Sequence, residues 1–235
     1  MGGELDPIGI AEARSALGWW LEAGVDVLVE ESPRNWLRPA PPRTEPPEAV
    51  PNIVQPSHET LAELQEWLAS STHLPLASST ANRIMPHGPK EPELMLLADG
   101  LTLEDSMAGQ PIGGQSWELA KRMLSAIKIP VEQAYSASLS CFYAPGSRMS
   151  ADDREACAEI ARRHIRLVKP KRLLLLGGGV TQALLGKPLP QARGHVHKVE
   201  GVRTVATFHP RDLLNQPSNK SLAWKDLLLL MEEDS

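Results

Sequence analysis

Two short stretches place chemically capable side chains just beyond apolar runs. Asp99 follows "LMLLA" and His209 follows "TVATF". A carboxylate and an imidazole at neighbouring strand ends make an acid–base or electrostatic pair. Pro210 locks the residue after the histidine, and Leu213 and Leu214 then put apolar side chains into a turn. Each has a plainer reading alone: an aspartate after a strand is commonly a turn residue, and a lone histidine is commonly structural. "GGG" (177–179) permits close backbone approach but lacks the Lys-Ser/Thr of a P-loop and the full spacing of a dinucleotide fingerprint. With Gly178 at its centre, it reads either as a strand-to-helix turn at a phosphate or as a purely structural turn. His195 and His197 alternate with no further ligand cluster nearby, so no metal is expected there. "RRHIRLVKPKR" (162–172) is the densest basic run and reads as a solvated face. Arg148, Arg193, Arg211 and Lys220 flank the expected pocket and are the better phosphate candidates.

Positioning Asp99 and His209 requires strands that end at one edge. "ELMLLAD" (93–99) and "RLLLLG" (172–177) are continuous apolar runs of strand length, as in a sheet buried on both faces. "AYSASLS" and "VRTVATF" are two further strands. Helices are predicted between and after them: 116–127, 151–168 opened by Ser150 with Asp153 three residues on, and 218–232. In 151–168, Cys157, Ile160, Ala161, His164 and Val168 share one face. This alternation predicts an α/β fold, a three-layer α/β/α sandwich around a mainly parallel four-stranded sheet, with ligands at the C-terminal strand ends. Upstream, Ser57 is expected to cap a helix over "SHETLAELQEWLAS". The recurring prolines of 33–56 predict a polyproline-like linker, and 1–32 a helical arm, leaving 57–235 as the α/β domain.

At 235 residues and 42% hydrophobic, the chain suits one globular domain with an appendage. A net charge of −5 argues against a wholesale basic surface and leaves room for a local stripe. No run of 18 apolar residues occurs, and the N-terminus lacks the basic-then-apolar order of a secretory signal, so a cytoplasmic protein without a membrane partner is expected. The two cysteines, Cys141 and Cys157, are too few for a disulfide framework and fit a reducing compartment.

"LLADGLTLEDSMAGQPIGGQSWELAKRML", "SCFYAPGSRMSADDREAC", "PKRLLLLGGG", Arg193-Gly194 and "TFHPRDLL" stand in the order and approximate spacing of one known family. Over roughly residues 70–232 the chain resembles the uracil-DNA glycosylase superfamily, nearest to its iron–sulfur-containing family 4. The resemblance implies DNA as partner, extrusion of a deaminated base, uracil first among them, and hydrolysis of its N-glycosidic bond. Asp99 then positions the attacking water and faces the cationic sugar, while His209 contacts the pyrimidine carbonyl. Gly100, in the same first motif, is a candidate base contact, and Leu213 and Leu214 match the segment that wedges into the duplex. No lysine is placed for a Schiff base, so strand cleavage is not expected.

The sequence also departs from the family. Ile112 stands where the stacking phenylalanine is usual, and Ala137 or Ser138 replaces the base-reading asparagine. Cys141 and Cys157 match two ligands of the family's cluster, but Ser71 and Leu74 occupy the positions of the other two, so no metal cofactor is expected. These departures support a second reading, a catalytically degenerate DNA-binding module. A protein partner for the arm or the linker is what remains if DNA is not bound.

Overall fold

The computed structural model describes residues 59–78, 81–146 and 149–232. The expected arm (1–32) and linker (33–56) lie outside the described residues. In chain order the elements are α1 (Leu61–Ser70), β1 (Asn82–Arg83), β2 (Leu94–Ala98), α2 (Leu103–Ala108), α3 (Gly114–Ala126), β3 (Ala134–Ser138), β4 (Phe142–Tyr143) and α4 (Ala151–Val168). They continue with β5 (Arg172–Leu176), α5 (Gly178–Leu185), α6 (Leu189–Ala192), β6 (His197–Val199), β7 (Val202–Thr207), α7 (Pro210–Asn215) and α8 (Lys220–Met231).

Apolar strands impose the layering. All five residues of β2 are buried, and alternate side chains serve opposite faces. Met95 and Leu97 join Leu173 and Leu175 of β5 beneath α4 and α5, whereas Leu94 and Leu96 join Leu174 and Leu176 against α3 and α8. Sheet order is β3-β2-β5-β7-β6, with the first four strands parallel. These four are the strands expected from the apolar runs. The sheet is nonetheless five-stranded, because β6 turns back at Glu200-Gly201 and pairs antiparallel with β7. Three residues carrying a lysine are too short and too polar to be read as a strand.

Helix starts follow local chemistry. Ser150 caps α4 and Asp153 closes the reciprocal bond, as the spacing predicts. For α1 the cap is Thr60, paired with Glu63, and not Ser57, which lies outside the described residues. Thr102 and Asp105 cap α2 in the same way. Helix α3 begins with glycines and lacks a cap of its own. Its first amides are met from α2, where Asp105 accepts from Gly113 N–H at 2.6 Å and Glu104 from Gln115 N–H at 2.9 Å. One buried carboxylate, Asp105, therefore joins the loop after β2 to the turn before α3.

The free edge of β3 is covered by a strap. His87 pairs with Ser136, Ile84 N–H bonds Cys141 O at 2.8 Å, and β1 pairs antiparallel with β4. Among the described residues, no helix is long and apolar enough to cross a membrane.

Candidate functional site

The parallel register brings the C-terminal strand ends to one level: Ala98 lies beside both Ser138 and Leu176, and Leu176 beside Thr207. Asp99, Gly177 and Phe208-His209 therefore emerge along one edge. One strand separates β2 from β7, so at the usual strand spacing the Asp99 and His209 backbones leave the sheet about 10 Å apart.

Asp99 is held by the start of α5. Its Oδ2 accepts from Gly179 N–H at 3.0 Å and its Oδ1 from Val180 N–H. Two acceptor oxygens facing a helix N-terminus favour the ionised carboxylate. Burial pushes the Asp99 pKa above its ordinary value, the Val180 and Gly179 amides and the Arg211 guanidinium oppose this, and Asp212 adds to the rise. The glycine run thus acts on Asp99. A Cβ on Gly177, where φ is +107°, would stand 2.3 Å from Asp99 Oδ2, whereas one on Gly178 would meet nothing within 4 Å.

His209 is 1% exposed and caps α7. Its Nδ1 accepts from Arg211 N–H at 3.1 Å, which leaves the ring proton on Nε2. Burial first, and the Arg211 charge second, lower its pKa to about 3, so the ring is neutral at ordinary pH. Pro210 occupies the first position of α7 and is buried, where the missing N–H costs nothing. The Arg211 guanidinium reaches back to Gly100 O at 3.4 and 3.5 Å, spanning the two strand ends. Gly100 itself is exposed. A fixed anion and a neutral N–H donor at one sheet edge are the pair of groups that can stabilise opposite charges as they separate.

The remaining candidates divide. Leu214 is half-buried and Lys220 is exposed. Leu213 is 1% exposed and packs among α3, α7 and α8, so the wedge expected there is corrected: its side chain is spent on the protein interior. Ile112 is likewise 1% exposed, within the α3-side core, and offers no open face to a base. Ser138 ends β3 beside Asp99, but its hydroxyl donates to Ser140 O at 2.6 Å, leaving only acceptor capacity. Arg193 does not stand free for phosphate. Asp226 binds its Nε at 2.8 Å and a terminal nitrogen at 2.7 Å, and its guanidinium covers the Phe208 ring at 4.4 Å. Arg148 lies outside the described residues.

Sequence reasoning missed four contributors. Val180 and Gly179 act through main-chain N–H groups and carry no side-chain signal. Asp226 had one, an acid on the apolar side of "LAWKDLLLL". Arg83 had none.

The iron–sulfur cluster implied by the resemblance does not fit these residues, since its irons ordinarily take four thiolates. Only Cys141 and Cys157 are available, and burial pushes their pKa values up to about 11 and about 12. They share with Leu68, Leu74, Ser138 and His164 a cavity of about 30 Å³, room for little more than one water. Leu74 is 5% exposed in a small core with Leu64, Leu68 and Phe142. Arg83 binds Leu68 O and, at 2.7 Å, Ser71 O, and stacks 4.6 Å from the Phe142 ring centre. It thereby ties the end of α1 to the β1–β4 ribbon. Among the described residues, no group of three or more His, Cys, Asp or Glu is arranged to hold a metal ion. Arg83→Met is expected to cost about 2 kcal/mol through lost charged hydrogen bonds and ring contact, which a thermal melt would record as a clear fall in Tm.

Comparison with known proteins identifies the family. A family model for the Uracil DNA glycosylase superfamily matches residues 85–229. A "Type-4 uracil-DNA glycosylase" of Archaeoglobus fulgidus is 21% identical over 170 residues, covering 68% of this chain and 85% of that protein. A protein of the same name from Pyrobaculum aerophilum is 22% identical over 180 residues, covering 72% and 92%. The motifs at both strand ends fall inside the matched span, and the chain belongs to the uracil-DNA glycosylase superfamily as a divergent, family 4-like member.

Proposed function

We propose that the protein is a monofunctional DNA glycosylase that extrudes a deaminated base, uracil first among the candidates, and hydrolyses its bond to deoxyribose. The observation that carries this reading is the pairing of a clamped Asp99 carboxylate with a neutral, Nε2-protonated His209 at one sheet edge. As the glycosidic bond lengthens, positive charge gathers on the sugar and negative charge on the base. Asp99 faces the first and orients water toward it; His209 Nε2–H donates to the base oxygen that carries the second. Gly100 supports the Asp99 turn, and Arg211, Lys220 and Arg148 supply phosphate contacts. With Leu213 withdrawn into the interior, Leu214 is the remaining apolar contact with the base stack.

The reaction needs no iron–sulfur cluster. Purified protein is expected to release free base without iron and to keep its activity after chelation. Oligonucleotides bearing uracil, hypoxanthine or xanthine, single- and double-stranded, test the activity directly. Release from at least one, abolished by Asp99→Asn, is the expected result; no release from any by folded protein rejects it.

Two observations favour a second reading, a DNA-binding module with a decayed pocket: Ile112 is buried and the Ser138 proton is committed. Salt-dependent binding of DNA without base release would select it.

A further inference from the structure

Asp226 is the one carboxylate on the inner face of α8, 1% exposed. Its Oδ2 accepts from Thr207 Oγ1 at 2.7 Å and from two nitrogens of Arg193, at 2.8 and 2.7 Å; its Oδ1 takes Gly194 N–H at 3.3 Å. The Thr207 and Arg193 contacts converge on the end of β7. Thr207 is the last residue of that strand, and its carbonyl also accepts from Gly177 N–H at 2.9 Å, beside the Asp99 clamp. Phe208 follows, covered by the Arg193 guanidinium at 4.4 Å. The next residue is His209.

A buried ion pair is a poor source of net stability, because desolvating two charges offsets their attraction. What this one does supply is direction. Two consecutive residues before the imidazole are fixed, one by a hydrogen bond and one by a cation over its ring. We infer that Asp226 is a positioning residue, which holds Thr207 directly and Phe208 through Arg193 and so sets where the His209 ring stands. The inference rests on the reading of His209 as donor to the departing base. Asp226 touches no reacting atom.

Kinetics of Asp226→Asn and of the apolar pair Arg193→Met/Asp226→Leu test it, alongside thermal melts and ¹⁵N spectra of His209. Asp226→Asn keeps the shape of the side chain and leaves Arg193 uncompensated. It is expected to lower kcat by about tenfold or more with KM within about twofold, the pattern of a misplaced catalytic group. The apolar pair is expected to regain Tm while kcat stays low. A merely structural role predicts the opposite, recovery of kcat together with Tm, and that result overturns the inference, as does folded Asp226→Asn with unchanged kcat. If the wild-type protein releases no base, the proposed activity fails separately. The ¹⁵N spectra then decide: a single Nε2-protonated His209 in the wild type that becomes a tautomer mixture in folded Asp226→Asn sustains the role of Asp226, and identical spectra overturn it.

Discussion

His209→Ala is expected to lower the rate of base release by at least about 100-fold, the usual effect of removing one donor aimed at developing negative charge. The substitution also removes the α7 cap, worth about 1 kcal/mol, so a modest fall in Tm accompanies it. His209→Asn separates the two effects. Asparagine restores an acceptor for Arg211 N–H but not an N–H at the Nε2 position, so stability recovers and the rate does not. Single-turnover release with thermal melts reads both.

The same residue fixes a pH dependence. With the folded pKa near 3, the donor form persists through the whole range above it, and kcat is expected to show no inflection near 6.5, the ordinary histidine value. Stability runs the other way from a salt-bridged histidine. Between pH 6.5 and about 3 the unfolded chain binds the proton and the folded one does not, so the contribution is complete above 6.5 and is lost as pH falls. His164, buried and lowered to about 4, adds to the same trend. An activity profile with a midpoint near 6.5 would contradict the neutral-donor role.

The second large effect belongs to Gly177. An alanine there would need φ near +107° and would drive its Cβ to 2.3 Å from Asp99 Oδ2. Strain and clash together are expected to cost about 2–4 kcal/mol or to expel the carboxylate from its amides. Base release falls in either case. Two neighbours calibrate the result: a Cβ on Gly179 would lie 3.1 Å from Asp99 Oδ1, and one on Gly178 in open space. The expected order of Tm loss is therefore Gly177→Ala, then Gly179→Ala, then Gly178→Ala with little change. Equal losses at 177 and 178 would show that Asp99 is not what the glycine run accommodates.

Much of this architecture is legible in the sequence because it depends on period and punctuation. Leu94–Ala98 and residues 173–176 are apolar throughout, the pattern of strands covered on both sides. Ser150 and Asp153 announce α4. Where position depends on partners distant in sequence, the signal fades. Nothing in "HPRDLL" tells which leucine turns inward; α3 and α8 decide that, and they take Leu213. Arg193 reads as a surface cation until Asp226, 33 residues later, lies against it. "GGG" suggests a phosphate, yet the carboxylate at its amides comes from 80 residues upstream.

The fastening made by Arg83 carries a consequence for the conditions under which the fold holds. A guanidinium gripping carbonyl oxygens and an aromatic ring has no valence to change and nothing to surrender to a scavenger of ions. The fastening itself therefore offers nothing to oxidise, and it can be built by the ribosome alone, without delivery of an inorganic part.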